Sequence, residues 1–338
     1  MISYIGRRLV LMALVVLGMS VITFALTRLV PGNPARLLAG PHANQEAVDE
    51  LARQYRLDGS PVEQYALYMG DLLRGDLGMS VTTRRPVLED LREFLPATLE
   101  LTGAALLITL AIGIPLGILS ATHAGRLPDH LSRIFSIVGV SMPVFWLGLI
   151  LQVVFYKRLG WLPVGGRLDI FDFAPPRVTG SYPIDALLAG DFALFGAALT
   201  HLLLPAATLA VGSLAIITRM TRASLLETMG ADFVRTARAK GLANGRVMRG
   251  HVFRSALIPT LTVIGLQVGY LLSGNFLIES VFNWPGIGLY AVNAIRNLDY
   301  AAIMGVTLIV SVIFVTVNLV VDILYAVLDP RISYRGRG

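Results

Sequence analysis

Long apolar stretches recur along the whole chain. A helix that crosses the hydrocarbon core needs about 20 mostly apolar residues, because the core is about 30 Å thick. Strands of a membrane barrel would instead be about 10 residues long and alternate in polarity. Six stretches lack Asp, Glu, Lys and Arg: Leu9–Thr27, Leu101–Thr122, Ile134–Tyr156, Phe192–Thr218, Ser255–Ile278 and Tyr300–Val321. We predict an all-α membrane protein whose six transmembrane helices cover residues 9–30, 98–122, 134–156, 192–218, 255–278 and 300–328.

Proline and glycine recur inside these predicted spans. Proline removes a backbone donor and kinks a helix, and a helix bundle satisfies the carbonyl that proline frees. Small residues four apart let two helix backbones approach closely. Such features fit a transport bundle, although ordinary helix packing is the simpler explanation of the glycine pairs. The interior prolines are Pro115, Pro143, Pro205 and Pro259, and the pairs are Gly113/Gly117 and Gly265/Gly269.

Two segments between spans are long enough to have structure of their own. Residues 31–97 follow a turn-forming Pro-Gly-Asn-Pro sequence. Apolar residues at helical spacing predict two short amphipathic helices there, carried by Val48, Leu51 and Tyr55, and then by Val62, Tyr65, Met69 and Leu72. Residues 157–191 contain Pro175-Pro176 and scattered glycines, and we interpret them as a loop.

The segment 219–254 is too polar to span a membrane and too long for a turn. Apolar residues repeat there at helical intervals, and Gly241 interrupts the pattern as a glycine at a helix end does. The apolar residues are Leu225, Leu226, Met229 and Phe233, then Ala237 and Leu242, and the basic ones among them include Arg235, Arg238 and Lys240. Composition alone favours two functions equally: binding of anionic lipid headgroups, or insertion of a helix into the groove of a soluble partner.

The composition agrees with a lipid-embedded chain. Hydrophobic residues make up 55% and charged residues 15% of the sequence, and the mean hydropathy is +0.68. A soluble domain carries about 25% charged residues. The absence of cysteine excludes disulfides, thiolate nucleophiles and thiolate metal sites.

The charge distribution predicts the orientation of the chain. The net charge of +6 allows a nucleic-acid-binding interpretation until it is divided among the segments. The side that holds both termini has 15 basic and four acidic residues, whereas the opposite side has 12 basic and 15 acidic ones. Basic residues accumulate in cytoplasmic loops. We therefore expect residues 1–8, 219–254 and 329–338 in the cytoplasm, and residues 31–97, 157–191 and 279–299 outside it.

A series of motifs resembles one family along essentially the whole chain. Residues 235–241, RTARAKG, look like the EAA loop of bacterial ABC importer permeases, in the form found in the dipeptide/oligopeptide/nickel branch, and most closely its B-type permeases. The general EAA pattern has Glu where this chain has Arg235, and I-x-L-P where it has His251 to Arg254; both departures resemble this branch. Further landmarks, in order, are VPGNP at 30–34, GDLGMS at 75–80, ATLEL at 97–101, SMP at 141–143, ESVFNWPGIG at 279–288, NLVVDILY at 318–325 and DPR at 329–331.

The resemblance implies a type I ABC importer permease fold in the bacterial inner membrane, with a permease domain over about 98–328 and a helical extracytoplasmic segment before it. It implies half of a translocation pathway for dipeptides or short peptides. Longer peptides, glutathione, nickel complexes and some sugars remain alternative substrates. The implied partners are a second, C-type permease, two cytoplasmic ABC ATPases and an extracytoplasmic substrate-binding protein. The ATPase-coupling residues would be Phe233, Arg235, Thr236, Ala237, Arg238, Ala239, Lys240, Gly241 and His251.

Energy must come from outside this chain. The sequence has no G-x-x-x-x-G-K-[ST] phosphate-binding loop, no HExxH metal motif and no G-x-S-x-G nucleophile elbow. We therefore expect a subunit that is not itself an enzyme and binds no cofactor, with ATP and Mg²⁺ held by the partner ATPases. An ion-coupled secondary transporter, which would show repeats and midplane charges, and a membrane scaffold without transport activity are the two alternatives.

Polar residues in or beside the spans are the candidates for a pathway or gate. Ionisable residues inside membranes are rare and often functional, and amides there can hydrogen-bond either a passing peptide or a neighbouring helix. Structural pairing at the span boundary is the alternative for the three acids. The candidates are Glu100, Gln152, Gln267, Asn275, Glu279 and Asp322.

Overall fold

The computed structural model describes residues 2–29, 36, 43–54 and 59–328, and in this part the chain is helical. Its only β-type pairing within these residues is an isolated bridge between Met79 and Pro86. The helices are α1 (Ile2–Leu29), α2 (Gln45–Gln54), α3 (Pro61–Leu73), α4 (Val87–Thr122), α5 (Leu127–Ser141), α6 (Val144–Leu151), α7 (Tyr182–Leu188), α8 (Phe192–Met229), α9 (Asp232–Ala239), α10 (Asn244–Val247), α11 (Phe253–Val281), α12 (Ile287–Arg296) and α13 (Tyr300–Leu328).

Four helical stretches of the described residues are long and apolar enough to cross a membrane: Val87–Thr122, Phe192–Met229, Asn244–Leu272 and Tyr300–Val321. A fifth candidate is the pair α5 and α6, which is bent by 107°. Helix α1 has a shorter apolar part, Val10–Leu26. The structure therefore provides four or five of the six predicted spans, and the span at residues 9–30 stays a prediction.

The predicted third span, residues 134–156, is not one continuous helix. Proline lacks an amide hydrogen and pushes the residue before it into extended backbone. Met142 has φ −86° and ψ 132°, and Pro143 then begins the turn into α6. A π-helical segment, Gln152–Arg158, follows α6 directly. Pro143 was predicted to kink a helix, but it ends one helix and starts another.

Helices α7 and α12 lie between the predicted spans, in residues 157–191 and 279–299, where the sequence was interpreted as loop. Residues 157–191 were interpreted as a loop, but they contain the short helix α7. The segment 219–254 starts as a continuation of α8, which runs to Met229, and only then turns at Gly230 into α9. A second π-helical segment, Met248–Val252, leads into α11.

The chain divides into two compact units, Met1–Pro96 with Pro285–Thr316, and Ala97–Trp284 with Val317–Gly338. In the second unit, α4 and α8 pack closely. A Cβ atom on Gly117 would lie 2.6 Å from the Cβ of Thr221, and the Thr218 hydroxyl donates a 3.1 Å hydrogen bond to the carbonyl of Gly113. The close helix approach predicted for this glycine pair is therefore confirmed. The main core beside it includes Leu101, Leu209, Leu271, Ile278, Phe282 and Trp284.

The first unit contains the two predicted amphipathic helices, α2 and α3. Tyr65 of α3 packs edge-on against Phe24 of α1, and its hydroxyl lies 2.9 Å from the hydroxyl of Ser20. Of the apolar residues at helical spacing, Val48 is buried and Val62 is exposed, and Tyr55 lies outside the described residues. Apolar spacing thus identified both helices but not every residue of their buried faces.

Candidate functional site

The eight-residue helix α9 forms the centre of the predicted coupling segment. Gly230 caps the end of α8, and Ala231 turns the chain so that α9 starts afresh at Asp232. Val234 and Ala237, three residues apart, are buried on one side of α9. The other predicted coupling residues are exposed: Phe233, Arg235, Thr236, Arg238, Ala239, Lys240, Gly241 and His251. The helix therefore has one anchored face and one open face.

Phe233 is one of the predicted coupling residues, and its exposure differs from that of its neighbour Val234. The sequence continued one apolar repeat from Leu225 and Met229 to Phe233. Its side chain is 46% exposed, while the adjacent Val234 is fully buried. Because α8 ends at Gly230, the helical phase restarts in α9 and the earlier spacing does not carry across. Phe233 is thus an apolar side chain on the open face.

Gly241 ends this segment with a backbone conformation that side chains rarely adopt. Its φ is +76°, its N–H donates to the carbonyl of Arg238, and the N–H of Leu242 donates to the carbonyl of Ala237. Glycine adopts this left-handed conformation without a steric cost. The prediction that Gly241 terminates a helix is confirmed.

An apolar cluster connects α9 to the ends of the long helices. It contains Ala121 of α4, Leu225 of α8 and Ala256 of α11, packed with Val234 and Ala237 of α9. Val247 at the end of α10 and Val252 directly before α11 complete it. Buried side chains in such a cluster are closely packed and transmit displacement. Helix α9 is therefore packed against residues of three long helices.

Glu100 is one of the predicted pathway candidates, and its carboxylate is bound to the segment 157–191. Arg167 forms a buried ion pair with it, and the N–H of Tyr182 donates to the same carboxylate oxygen at 2.9 Å. The guanidinium of Arg167 also stacks 3.5 Å above the ring of Tyr182. Arg167 was not singled out from the sequence, because its partner is 67 residues away.

Asp185 orders the same outer segment. Its carboxylate accepts hydrogen bonds from the N–H groups of Val178, Thr179 and Gly180 and from the Thr179 hydroxyl. Burial by itself raises the pKa of Asp185, but these donors stabilise the carboxylate and leave its pKa below the ordinary value. The segment is therefore folded around two buried acidic groups rather than being an open loop.

Two further candidates, Glu279 and Asn275 of α11, form hydrogen bonds with residues of α4 that lie one helical turn apart. The Thr98 hydroxyl donates a 2.6 Å hydrogen bond to Glu279, and the Asn275 side-chain amide donates a 2.5 Å bond to the Thr102 hydroxyl. Both acceptors and donors are buried. These bonds join α4 to α11 across more than 170 residues of sequence.

The three remaining candidates differ from one another. Gln152 donates from its amide to the carbonyls of Val164 and Val281. Gln267 is buried, and its Oε1 has no hydrogen-bond partner among the described residues. The side chain of Asp322 lies outside the described residues.

The sequence analysis also missed a partly buried ion pair near the start of α5. Arg222 donates from Nε to Asp129 at 2.6 Å and from Nη2 at 2.9 Å. Asp129 accepts further bonds from the Ser120 hydroxyl and from the N–H of Gly125. The pair fixes α5 against α8. No local pattern signals it, because the two residues are 93 positions apart.

Comparison with known proteins gives matches over the whole chain. Residues 113–334 match the family described as "Binding-protein-dependent transport system inner membrane component", and residues 1–102 match its N-terminal family. The chain is 51% identical to the probable D,D-dipeptide transport system permease protein of Escherichia coli K12, over 97% of this chain and 96% of that one. It is 44% identical to the dipeptide transport system permease protein of Alkalihalophilus pseudofirmus, over 99% and 100% of the two chains.

Solved structures also match, among them an inward-facing form of the MetNI methionine ABC transporter. The TM-score is 0.49 at 18% sequence identity, with 69% of this chain and 93% of that chain covered.

Proposed function

Since the chain belongs to the family of binding-protein-dependent transport system inner membrane components and is a permease subunit of a peptide importer, we propose that it carries dipeptides or other short peptides into the bacterial cell. The observation that carries this proposal is the extent of the similarity. Relatives named for dipeptides match from end to end, at up to 51% identity.

The proposed topology has six spans with both termini in the cytoplasm. It rests on the excess of basic residues in the segments that would then face the cytoplasm. Helix α1 supplies the first span, α5 and α6 together supply the third, and residues 31–97 lie outside with α2 and α3. In this topology, α9 lies on the cytoplasmic side of the membrane.

We propose that α9 docks in a groove of a cytoplasmic ABC ATPase. Phe233 is the apolar anchor, because aromatic side chains in a partner's pocket dominate interface energies. Arg235, Arg238 and Lys240 surround it with positive charge. When the ATPases close, the cluster around Val234 and Ala237 transmits the movement to α4, α8 and α11.

The assembly proposed around this chain contains one further permease of the C-type, two ATPase subunits and an extracytoplasmic binding protein that delivers the peptide. ATP and Mg²⁺ are bound by the ATPases. The permease is the non-catalytic subunit, and specificity arises largely in the binding protein.

Among the six polar candidates, Gln267 is the one we propose for contact with the peptide. An amide group offers both a donor and an acceptor to a peptide backbone. Glu100, Gln152, Asn275 and Glu279 instead have protein partners that join helices and loops. We propose that these four hold the bundle in shape while the peptide passes.

Uptake in a strain that lacks this permease tests the proposal. Complementation with this chain is expected to restore uptake of radiolabelled L-alanyl-L-alanine or D-alanyl-D-alanine; uptake of glutathione or of a tetrapeptide is measured in parallel. Collapse of the ion gradient with ATP held constant should leave uptake intact. Loss of uptake under that condition, or purification of the chain without any ATPase subunit, would contradict an ATP-driven importer.

A further inference from the structure

A cavity of about 230 Å³ lies between α4, α5 and α8. Three arginines line it: Arg133 of α5, and Arg219 and Arg222 of α8. Ser132 adds a hydroxyl, and Ile137 and Ala215 form an apolar wall. Positive charge, hydroxyl groups and apolar surface are thus combined in one partly open cavity.

Most of the positive charge in this cavity is not neutralised by the protein. Asp129 pairs with Arg222 through two N–H groups and leaves three N–H groups of that guanidinium available. In the part of the chain that the structure describes, neither Arg133 nor Arg219 has a carboxylate within 4 Å. Two exposed guanidinium groups therefore remain uncompensated beside a third that is held rigidly in place.

Two arginines of the cavity lie directly beside the ends of predicted spans. Arg133 directly precedes the predicted span 134–156, and Arg219 directly follows the predicted span 192–218. The cavity thus sits where three spans reach the cytoplasmic boundary in the proposed topology. Basic pockets between helices on this side of a membrane are suited to the headgroups of anionic lipids, and planar guanidinium groups bind phosphate oxygens in pairs.

We propose that this cavity binds the phosphate group of an anionic phospholipid, with Arg133 and Arg219 as its direct ligands. Arg222, fixed by Asp129, completes the positive surface, and Ile137 and Ala215 lie against the apolar part of the lipid. A lipid bound there joins α5 to α8 next to the ion pair that already links them. Only the choice of membrane leaflet depends on the proposed function; phosphate binding itself does not.

Native mass spectrometry of the purified transporter tests this assignment. The protein is incubated in mixed micelles with phosphatidylglycerol or with phosphatidylcholine of the same acyl chains, and the retained lipid is counted. We expect preferential retention of phosphatidylglycerol. Each basic residue near an anionic lipid contributes about fivefold in affinity, so Arg133→Gln with Arg219→Gln should weaken retention by about twenty-five-fold. Arg133→Lys with Arg219→Lys, which keeps the charge, should retain most of the binding.

The matched control is Arg126→Gln, an exposed arginine close to α5 that does not line the cavity. It should retain the lipid as the unaltered protein does.

A second experiment compares the two sources of a phosphate group, a lipid headgroup and free inorganic phosphate. Inorganic phosphate in the millimolar range should displace phosphatidylglycerol. Equal loss of lipid in the control and the double variant would overturn the proposal. Binding of inorganic phosphate without any preference for phosphatidylglycerol over phosphatidylcholine would overturn the lipid assignment. Size-exclusion profiles and copurifying subunits show whether each variant is folded.

Discussion

Thr98 and Glu279 are joined by a buried hydrogen bond, although 181 residues separate them in the sequence. The Thr98 hydroxyl donates to Glu279 Oε1 at 2.6 Å. Glu279 is fully buried at the end of α11, and Thr98 lies on α4. This contact places an acidic group from one long helix against a polar group of another, inside the larger unit.

Removal of the Thr98 hydroxyl should destabilise the protein. Thr98→Val keeps the shape of the side chain but takes a donor away from a buried carboxyl group, and hydrogen bonds to charged groups contribute about 1.5–3 kcal/mol. We expect a lower thermal unfolding temperature in detergent, and Thr98→Ser should restore it. Thr262→Val is the matched control, because Thr262 is exposed and bonds only within its own helix. An equal effect in both valine variants would contradict the assigned contact.

Substitutions of Glu100 and Arg167, which form an ion pair, should have strongly non-additive effects on the free energy of unfolding. Both side chains are less than 10% exposed, so removal of one partner leaves an uncompensated buried charge, at a cost of about 3–5 kcal/mol. Glu100→Gln and Arg167→Met should each be more destabilising than the double variant. Thermal unfolding of all four proteins measures the coupling.

The exposed ion pair of Arg85 and Glu93 is the control for this comparison of single and double variants. Its side chains are about half exposed, so Glu93→Gln should cost less than about 1 kcal/mol. Additive effects of Glu100→Gln and Arg167→Met would show that the two groups act independently.

Gly241→Asp should reduce peptide uptake and copurification of the ATPases severalfold. Gly241 has φ +76°, which strains any side chain, and a negative charge at the C-terminal end of α9 opposes the helix dipole. Gly245→Asp is the matched control, since Gly245 faces open space and has no positive φ. Uptake and copurification at unaltered levels in Gly241→Asp would show that this segment does not couple the two subunits.

Phe233→Ala and Val234→Ala should separate docking from folding. Phe233 is exposed, so its removal should leave thermal stability unchanged while ATPase copurification and uptake fall at least tenfold. Val234 is fully buried, and its truncation should lower stability by about 1–3 kcal/mol. Copurification assays and thermal unfolding on the same preparations distinguish the two effects. Full copurification with Phe233→Ala would exclude Phe233 as the anchor.

Local patterns in the sequence predicted the features that depend on neighbouring residues. Charge-free stretches identified the long helices, since helix length and apolarity are set within each segment. Gly241 was predicted to end α9 because only glycine adopts its backbone conformation without strain. The helices α2 and α3 followed from apolar spacing alone.

Where a local pattern crosses a break in the backbone, it stops being informative. The turn after Gly230 resets the helical phase, so the apolar repeat that reaches Phe233 does not identify Val234 as the buried residue of α9. At Pro143 the sequence indicated a kink within one helix, whereas the structure contains two helices related by a 107° bend.

By itself, the sequence determined that the chain contains several long apolar helices and a basic polar segment at residues 219–254, because those properties are summed over contiguous residues. Only the tertiary structure decided which polar groups meet. Arg167 with Glu100, Arg222 with Asp129 and Thr98 with Glu279 are pairs 67, 93 and 181 residues apart. Their partners follow from how the helices pack, since a buried charge must find a counterpart wherever the fold places one.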